Sequence, residues 1–172
     1  MLRKSLAILL LIGALLPFYV SINAFNTKKS FYHKTTLEDF KYVKLTKTKS
    51  VQFKATSITE LDKNFWQARN PIINEDISDQ KNTTTEADLG IIRQDKNIIE
   101  LFDNVTRKSF DPNMSELKTD HLIIRKNLEA YETKGFTVLK NNNQILTGYD
   151  FIFDQLNNKF IIPKQSKLVY NR

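Results

Sequence analysis

The stretch LKTDHLIIRKNLEAYETKGFTVLKNNNQILTGYDFIFDQLNNKFIIPKQSKLVY, residues 117–170, decides the fold. It consists of short apolar runs separated by polar turn segments, which lie at 125–127, 134–135, 141–143, 155–158 and 163–165. Short strands at regular spacing, with a turn signal between them, are typical of an antiparallel meander. We therefore predict an all-β domain built on a meandering sheet.

The alternation of apolar and polar residues extends this prediction to other segments. In VQFKAT, residues 51–56, Val51, Phe53 and Ala55 share one face, and Tyr149, Phe151 and Phe153 share one face of a later strand. A period of two indicates strands with one dry and one solvated face.

Turns and loops are predicted where this periodicity fails. The chain has only four glycines, so most turns have to use Asn, Asp and Lys, and Asn tolerates a positive φ. Gly148 lies inside a strand pattern and indicates a bulge or a bend. Residues 75–81 and 83–88 have no clear period, and we predict loops there.

The first 25 residues form a separate hydrophobic segment. Residues 6–20 are apolar and follow Arg3 and Lys4. A cleaved secretory signal and an uncleaved anchor both fit this pattern, since about 20 residues suffice to cross a bilayer core. Ile22 departs from the small residues of a cleavage site, so we favour an anchor that keeps the basic N-terminus in the cytoplasm and leaves the rest exported.

The chain divides into three parts by composition. Residues 1–25 are the transmembrane anchor, residues 26–45 a lysine-rich linker in which a first strand is an open alternative, and residues 46–172 the exported β-domain. The first 50 residues carry the whole net charge of +7. The neutral remainder lacks the basic balance typical of a surface that binds a phosphate backbone, so we predict no nucleic-acid binding.

Residues able to perform chemistry are sparse. The chain has no cysteine, which excludes disulfides and thiolate metal sites. His33 and His121 are the only histidines, and no nucleotide-binding or metalloprotease motif occurs. The adjacent carboxylates Glu75 and Asp76 are typical of a solvated loop. We therefore predict no catalytic residue, no metal and no cofactor, and not an enzyme.

Several motifs of the second half follow the order of a known family. They are EADL at 86–89, IIELFDNV at 98–105, LKTDHL at 117–122, ETKGFTV at 132–138 and ILTGYDF at 145–151. On these motifs the chain resembles the LptC family, the membrane-anchored periplasmic component of lipopolysaccharide export in Gram-negative bacteria. It departs from the family at Asp103 or Asn104, where glycine is usual, and at Phe136, at or near a usual proline.

The resemblance implies a twisted, open, antiparallel β-jellyroll with an apolar interior groove. It implies a single-pass inner-membrane protein, with its bulk in the periplasm, that takes lipopolysaccharide from an inner-membrane ABC transporter and passes it to the next bridge protein, LptA. The inward-facing residues expected to contact acyl chains are Phe53, Phe136, Val138, Phe151, Phe153 and Tyr170. The candidate edge strand for pairing with LptA comprises Lys167, Leu168, Val169 and Tyr170.

Elementary physics is consistent with this function and leaves an alternative open. Each CH₂ group exposed to water costs about 0.8 kcal/mol, so a carrier has to enclose the acyl chains. A free strand edge, normally an aggregation hazard, can instead pair with a partner strand. The alternative is that the aromatic residues fill a closed core and that the domain, anchored or secreted, is a protein scaffold that carries no lipid.

Overall fold

A computed structural model describes residues 34–47, 49–77, 81–110, 115–126, 128–142, 144–154, 157, 159–162 and 164–170. These residues belong to one compact unit, Lys34–Arg172. No helix among them is long and apolar enough to cross a membrane. The predicted anchor, residues 1–25, and His33 lie outside the described residues.

Thirteen strands follow one another along the described chain. They are β1 (Thr36–Leu45), β2 (Lys49–Asp62), β3 (Phe65–Arg69), β4 (Ile72–Ile77), β5 (Lys81–Glu86), β6 (Leu89–Arg93), β7 (Ile98–Ser109), β8 (Ser115–Arg125), β9 (Ala130–Asn141), β10 (Gln144–Tyr149), β11 (Ile152–Asp154), β12 (Lys159–Ile161) and β13 (Lys164–Tyr170). Every pairing is antiparallel, within one continuous sheet. The predicted all-β antiparallel class is confirmed.

Three long strands each pair, along one edge, with two shorter strands in succession. β2 pairs with β4 over its first half and with β3 over its second half. β7 pairs with β6 and then β5, and β9 pairs with β11 and then β10. The sheet therefore branches into two halves that share its long strands.

The sheet also folds over onto itself. The hydroxyl of Tyr131 on β9 lies 3.3 Å from a carboxylate oxygen of Glu75 on β4, although β8, β7 and β5 separate these strands in the sheet order. In a flat sheet, with strands about 4.8 Å apart, they would be roughly 19 Å apart. The enclosed face carries the core, which comprises Phe53, Ala55, Ile58, Ala68, Ile73, Ala87, Ile99, Leu101, Val105, Leu122, Ile124 and Tyr131.

Asn and Asp supply the backbone conformations that glycine usually supplies. Eight of the nine described non-glycine residues with positive φ are Asn or Asp. Asp103 and Asn104, at φ 61° and 51°, form a bulge where β7 shifts register against β8. Asn104 also donates a hydrogen bond to Asp88 at 2.6 Å. This bulge divides β7 into the part that pairs with β6 and the part that pairs with β5.

The loops predicted over residues 75–81 and 83–88 are wrong at residues 75–77, 81 and 83–86, because these residues belong to the paired strands β4 and β5. The inward-facing residues of this hairpin include Glu75, Thr83 and Thr85, which are polar and nevertheless buried or nearly so. A strand whose inward residues are polar shows no alternation of hydrophobicity, so the sequence pattern could not reveal it.

Two further predictions fail at residues with positive φ. The predicted turn at 134–135 lies inside β9, where Gly135, at φ 84°, bends the strand. Asp150, at φ 57°, interrupts the chain between β10 and β11. Tyr149 is consequently 45 % exposed while Phe151 is fully buried, so these two residues do not share a face.

The sheet begins inside the segment that was predicted as a lysine-rich linker over residues 26–45. Strand β1 pairs with β2 from Thr36 to Leu45. Nearly all of its side chains are exposed, and Phe40, packed edge-on against Phe53 with ring centroids 6.1 Å apart, is the partly buried exception. Because β1 buries so little apolar surface, its composition resembled a linker.

Gly148 lies at a register shift between β10 and β13, which confirms the predicted bulge. The ring of Phe151 approaches its backbone closely: a Cβ at position 148 would lie 2.6 Å from ring carbon Cε1 of Phe151 and 3.1 Å from the carbonyl oxygen of Gln165. Residue 148 therefore has to lack a side chain for Phe151 to be buried.

We expect Gly148→Ala to lower the free energy of unfolding by about 1–3 kcal/mol, because the new methyl group overpacks against Phe151. Gly135→Asn is the control: nothing lies within 4 Å of a Cβ there, and Asn tolerates positive φ, so the loss should stay below about 1 kcal/mol. Urea unfolding followed by the fluorescence of the single tryptophan measures both. Equal losses would contradict the steric explanation.

Candidate functional site

A cavity of about 220 Å³ lies on the enclosed face of the sheet. Its lining residues are the apolar Leu117, Leu122, Leu139 and Phe153 and the polar Thr83, Arg107, Ser109, Ser115 and Tyr131. Strands β5 and β7 supply most of the polar side chains, and β8, β9 and β11 supply the apolar ones. The cavity therefore has one polar and one apolar wall.

A group of charged and polar side chains adjoins the polar wall, and we name it the Glu75 cluster. Its members are Glu75, Lys49, Thr85, Arg107 and Tyr131. Glu75 accepts from Lys49 Nζ at 2.8 Å, from Arg107 Nη2 at 3.0 Å and from the Tyr131 hydroxyl at 3.3 Å. Arg107 Nη1 donates to Thr85 at 2.7 Å, and the guanidinium lies over the ring of Tyr131 at 4.0 Å. Five strands, β2, β4, β5, β7 and β9, meet in this cluster.

The protonation states of the Glu75 cluster follow from its burial and its charges. The side chains of Glu75 and Arg107 are only 10 % and 13 % exposed. Burial by itself raises the pKa of Glu75, but Arg107 and Lys49 outweigh it and hold that pKa below 4.5. Burial raises the pKa of Tyr131 to about 12. At neutral pH Glu75 is therefore ionised, and Tyr131 is a neutral donor.

Of the residues predicted to contact acyl chains, Phe153 is the one that lines the cavity. Phe53 and Phe151 are 7 % and 0 % exposed and belong to packed parts of the interior. The side chain of Tyr170 lies outside the described residues. Lipid contact by these four residues stays a prediction.

Phe136 and Val138 do not face inward, contrary to the prediction. Thr137, which lies between them, is fully buried, and Leu139, which follows Val138, lines the cavity. Phe136 and Val138 therefore belong to the other face of β9. Phe136 is 49 % exposed and packs edge-on against Tyr149, with ring centroids 5.5 Å apart. The inward positions of β9 on both sides of Gly135 include the buried Thr133 and Thr137, so the apolar alternation of Phe136 and Val138 marks the other face of the strand.

Three phenylalanines continue the apolar wall from the cavity towards the surface. The rings of Phe153 and Phe160 lie 4.6 Å apart, and Phe151 packs edge-on against Phe153 and Phe160 at 6.4 Å and 5.3 Å. Phe160 is 40 % exposed, whereas Phe151 is fully buried. Phe153 therefore lies between a fixed aromatic residue and a partly solvated one.

The candidate edge strand lies at the border of the described sheet. Strand β13 pairs with β10, and no second described strand pairs with it. Lys167 is exposed, and Leu168 and Val169 are 49 % and 38 % exposed. Strand β1 has the same position at the other border, since β2 is its one partner among the described strands.

His121, the histidine within the described residues, lies on β8. Its ring stacks on Phe102, with centroids 4.3 Å apart, and its Nε2 lies 3.6 Å from a carboxylate oxygen of Glu100. Within the described ranges, no group of three or more His, Asp or Glu side chains could hold a metal ion. His121 is therefore not the centre of a convergent set of carboxylates.

Sequence reasoning missed the residues that shape the polar wall. Arg107 follows the buried Val105 by two positions on β7, and Glu75 follows the buried Ile73 by two positions on β4. A charged residue two positions from a buried one shares its face in a strand. That parity was the available signal, but it required strand assignments that the loop prediction over 75–81 prevented.

The fold and the cavity define a class: an antiparallel, jellyroll-like β-protein with an amphipathic interior. A similar fold occurs in the crystal structure of LptH from Pseudomonas aeruginosa, described as the LptA-homologous periplasmic component of the lipopolysaccharide transport device. The TM-score is 0.57 at 10 % identity, over 71 % of this chain and 95 % of that chain. At this identity the likeness shows the fold alone. The search of curated proteins gave no match.

The family follows from the sequence match. A family model described as "Lipopolysaccharide-assembly, LptC-related" matches residues 6–171. The chain belongs to the LptC family, which confirms the resemblance seen in its motifs, and its role lies in lipopolysaccharide assembly.

We expect Glu75→Gln to lower the free energy of unfolding at pH 7 by about 3 kcal/mol, because it leaves the buried Arg107 without a counter-charge. The folded-state pKa of Glu75 is depressed, so its contribution is present above pH 4.5 and is lost as the pH falls through the lower, folded-state value. The difference between the wild type and this variant should therefore shrink in acid. Urea unfolding between pH 7 and pH 3 measures it.

Asp76→Asn is the matched control for this experiment. Asp76 is the next residue on β4, and it is exposed. This variant should lower the free energy of unfolding by no more than about 0.5 kcal/mol at every pH. If Asp76→Asn lowered the free energy of unfolding as much as Glu75→Gln does, the buried ion pair would make no specific contribution to stability.

Proposed function

We propose that this chain binds the acyl chains of lipopolysaccharide in its interior and passes the lipid from an inner-membrane ABC transporter to the next bridge protein, LptA. Membership of the LptC family supports the transport role. The observation that carries the lipid-binding step is the cavity, whose apolar wall is formed by Leu117, Leu122, Leu139 and Phe153. The proposal assigns no catalytic step to the chain.

The size of the cavity limits how the lipid is held. Sites for drug-sized ligands have volumes of about 300–1,000 Å³, and this cavity measures about 220 Å³. A lipid with several acyl chains therefore needs the interior to widen. Phe153 and Phe160 are the side chains that can move for it, since both are partly exposed while Phe151 is fully buried.

The C-terminal border of the sheet is the proposed contact with LptA. A strand with one free edge offers unpaired N–H and C=O groups to an incoming strand. On β13 the exposed Leu168 and Val169 add apolar area beside that edge. A continuous sheet across the two proteins would align their interiors and let the acyl chains pass without full exposure to water.

A scaffold that carries no lipid is the second candidate. It is favoured by the packing of Phe53 and Phe151, which are nearly inaccessible and belong to well-packed parts of the interior. A closed aromatic interior would serve protein–protein contacts equally well. The two candidates differ in whether the side of Phe153 that faces the cavity ever meets an acyl chain.

We expect a photo-crosslinking amino acid at Phe153 to capture lipopolysaccharide when the full-length chain and its transporter are supplied with ATP, because Phe153 lines the cavity. Phe136 is the control, an aromatic residue that is 49 % exposed on the other face of β9. Immunoblotting for crosslinked lipopolysaccharide reads out both positions. Capture at Phe136 alone, or at neither position, would favour the scaffold.

We expect the same crosslinker at Leu168 to capture LptA, because Leu168 is exposed beside the free edge of β13. Lys118 is the control: it is also exposed, but it lies on β8, which is paired on both sides. Crosslinks to LptA that are equally frequent at the two positions would contradict pairing through β13.

A further inference from the structure

We propose that the Glu75 cluster is an anion-binding site, which takes the phosphate or carboxylate of a single-chain amphiphile whose apolar chain lies against Leu117, Leu139 and Phe153. This inference rests on the proposed lipid carriage and deepens it, because it assigns a head-group contact to particular residues of this chain. The argument starts from Arg107, which lines the cavity itself.

Arg107 has hydrogen-bonding capacity left over. A guanidinium carries five N–H donors. In the described part of the chain, one donor of Nη1 meets Thr85 and one of Nη2 meets Glu75. Three N–H groups therefore have no acceptor among the described residues, on a side chain that is only 13 % exposed and borders the cavity. Such a group binds an oxyanion strongly, because charge-assisted hydrogen bonds are about twice as strong as neutral ones.

The surroundings of Glu75 hold more positive than negative charge. Lys49 and Arg107 contact Glu75 directly, at 2.8 Å and 3.0 Å. Lys126 also interacts with Glu75, and loss of water together with repulsion from Lys44 lowers the pKa of Lys126. Three cations, Lys49, Arg107 and Lys126, thus interact with one carboxylate, an excess of two positive charges. One bound phosphate or carboxylate would reduce that repulsion.

The two walls of the cavity fix the class of ligand. The polar wall presents Arg107 and the hydroxyl-bearing Thr83, Ser109 and Ser115, and leucines and Phe153 adjoin it, with Leu117 directly beside Arg107 on the neighbouring strand. A free inorganic anion would leave the apolar wall without contacts, and a pure hydrocarbon would leave the uncommitted donors of Arg107 unsatisfied. An anionic amphiphile matches both walls, and a volume of about 220 Å³, below the roughly 300–1,000 Å³ of sites for drug-sized ligands, favours a ligand with a single chain.

Glu75 has a positioning role in this arrangement. Its carboxylate holds the guanidinium of Arg107 in place through Nη2, and the ring of Tyr131 supports the guanidinium from its face at 4.0 Å. An arginine fixed in this way loses little side-chain freedom when an anion arrives. The buried ion pair therefore prepares the site and does not compete with the ligand for all five donors.

Competition binding to the full-length chain in a neutral detergent tests the proposal. Radiolabelled dodecyl phosphate is the probe, and the competitors are dodecyl phosphate, dodecanol and inorganic phosphate. We expect dodecyl phosphate to compete at a concentration at least about tenfold lower than dodecanol does, because the charge-assisted contacts are lost with the alcohol. Equal competition by the alcohol would overturn the anion site. Equal competition by inorganic phosphate would overturn the assignment to an amphiphile.

Variants then connect the effect to the cluster. We expect Arg107→Met to weaken dodecyl phosphate binding by about tenfold while leaving dodecanol binding unchanged. Because this variant loses a buried contact and can fail to fold, Lys49→Gln, at a member of the cluster whose side chain is 33 % exposed, provides a second test, with an expected loss of about threefold. Lys54→Gln, exposed on β2 outside the cluster, is the control and should bind as the wild type does.

These experiments distinguish a failure of the anion-binding site from a failure of the proposed lipopolysaccharide carriage. Capture of lipopolysaccharide at Phe153 together with equal competition by dodecanol would keep the carrier and discard the anion site. Preference for dodecyl phosphate without capture of lipopolysaccharide would keep the anion site and assign it to another anionic amphiphile. Unchanged binding in both the Arg107 and the Lys49 variants would overturn the role of the cluster.

Discussion

The ion pair between Arg107 and Glu75 is the interaction on which the interior depends. It joins β7 to β4, and Tyr131 extends it to β9 on the far side of the fold. The sheet is continuous, so backbone pairing alone does not determine how closely the folded halves approach one another. A charged contact in which one carboxylate accepts from three fixed donors does determine how closely these halves approach, because its energy depends steeply on distance and geometry. The shape of the cavity beside it follows from this constraint.

Placing such a contact next to an apolar cavity has a cost. Hydrophobic residues of similar volume often give a more stable interior than a buried ion pair, since both charges have to leave water. The chain keeps the ion pair and surrounds it with hydroxyl groups from Thr83, Thr85 and Ser109. Burial by itself raises the pKa of Glu75, yet the neighbouring cations keep it ionised. An interior selected for enclosing hydrocarbon alone would have no reason to retain these groups.

Sequence patterns predicted the parts of the fold whose inward residues are apolar. β2 was recognisable because Phe53 and Ala55 alternate with polar residues, and both are buried. The hairpin of β4 and β5 was missed because Glu75 and Thr85 occupy its inward positions. Asp150 reversed the face of Tyr149 through its positive φ, which no pattern of hydrophobicity encodes. The polar wall could not be predicted from the sequence because its inward residues are polar. Those residues remove the alternation of hydrophobicity by which strands are recognised.

The two borders of the sheet differ in how they resist unplanned pairing. On β1, Asp39 takes a positive φ of 50° within a strand that keeps one register with β2, and Lys41 and Lys44 are exposed along the strand. Exposed lysines are among the features by which natural edge strands avoid aggregation. The last part of β13 keeps an uninterrupted register with β10 from Lys167 to Tyr170, with Leu168 and Val169 exposed between. β13 therefore offers a regular ladder and some apolar contact to a partner strand, while β1 combines exposed apolar residues, among them Leu37, Val43 and Leu45, with lysines that place positive charge along the opposite border.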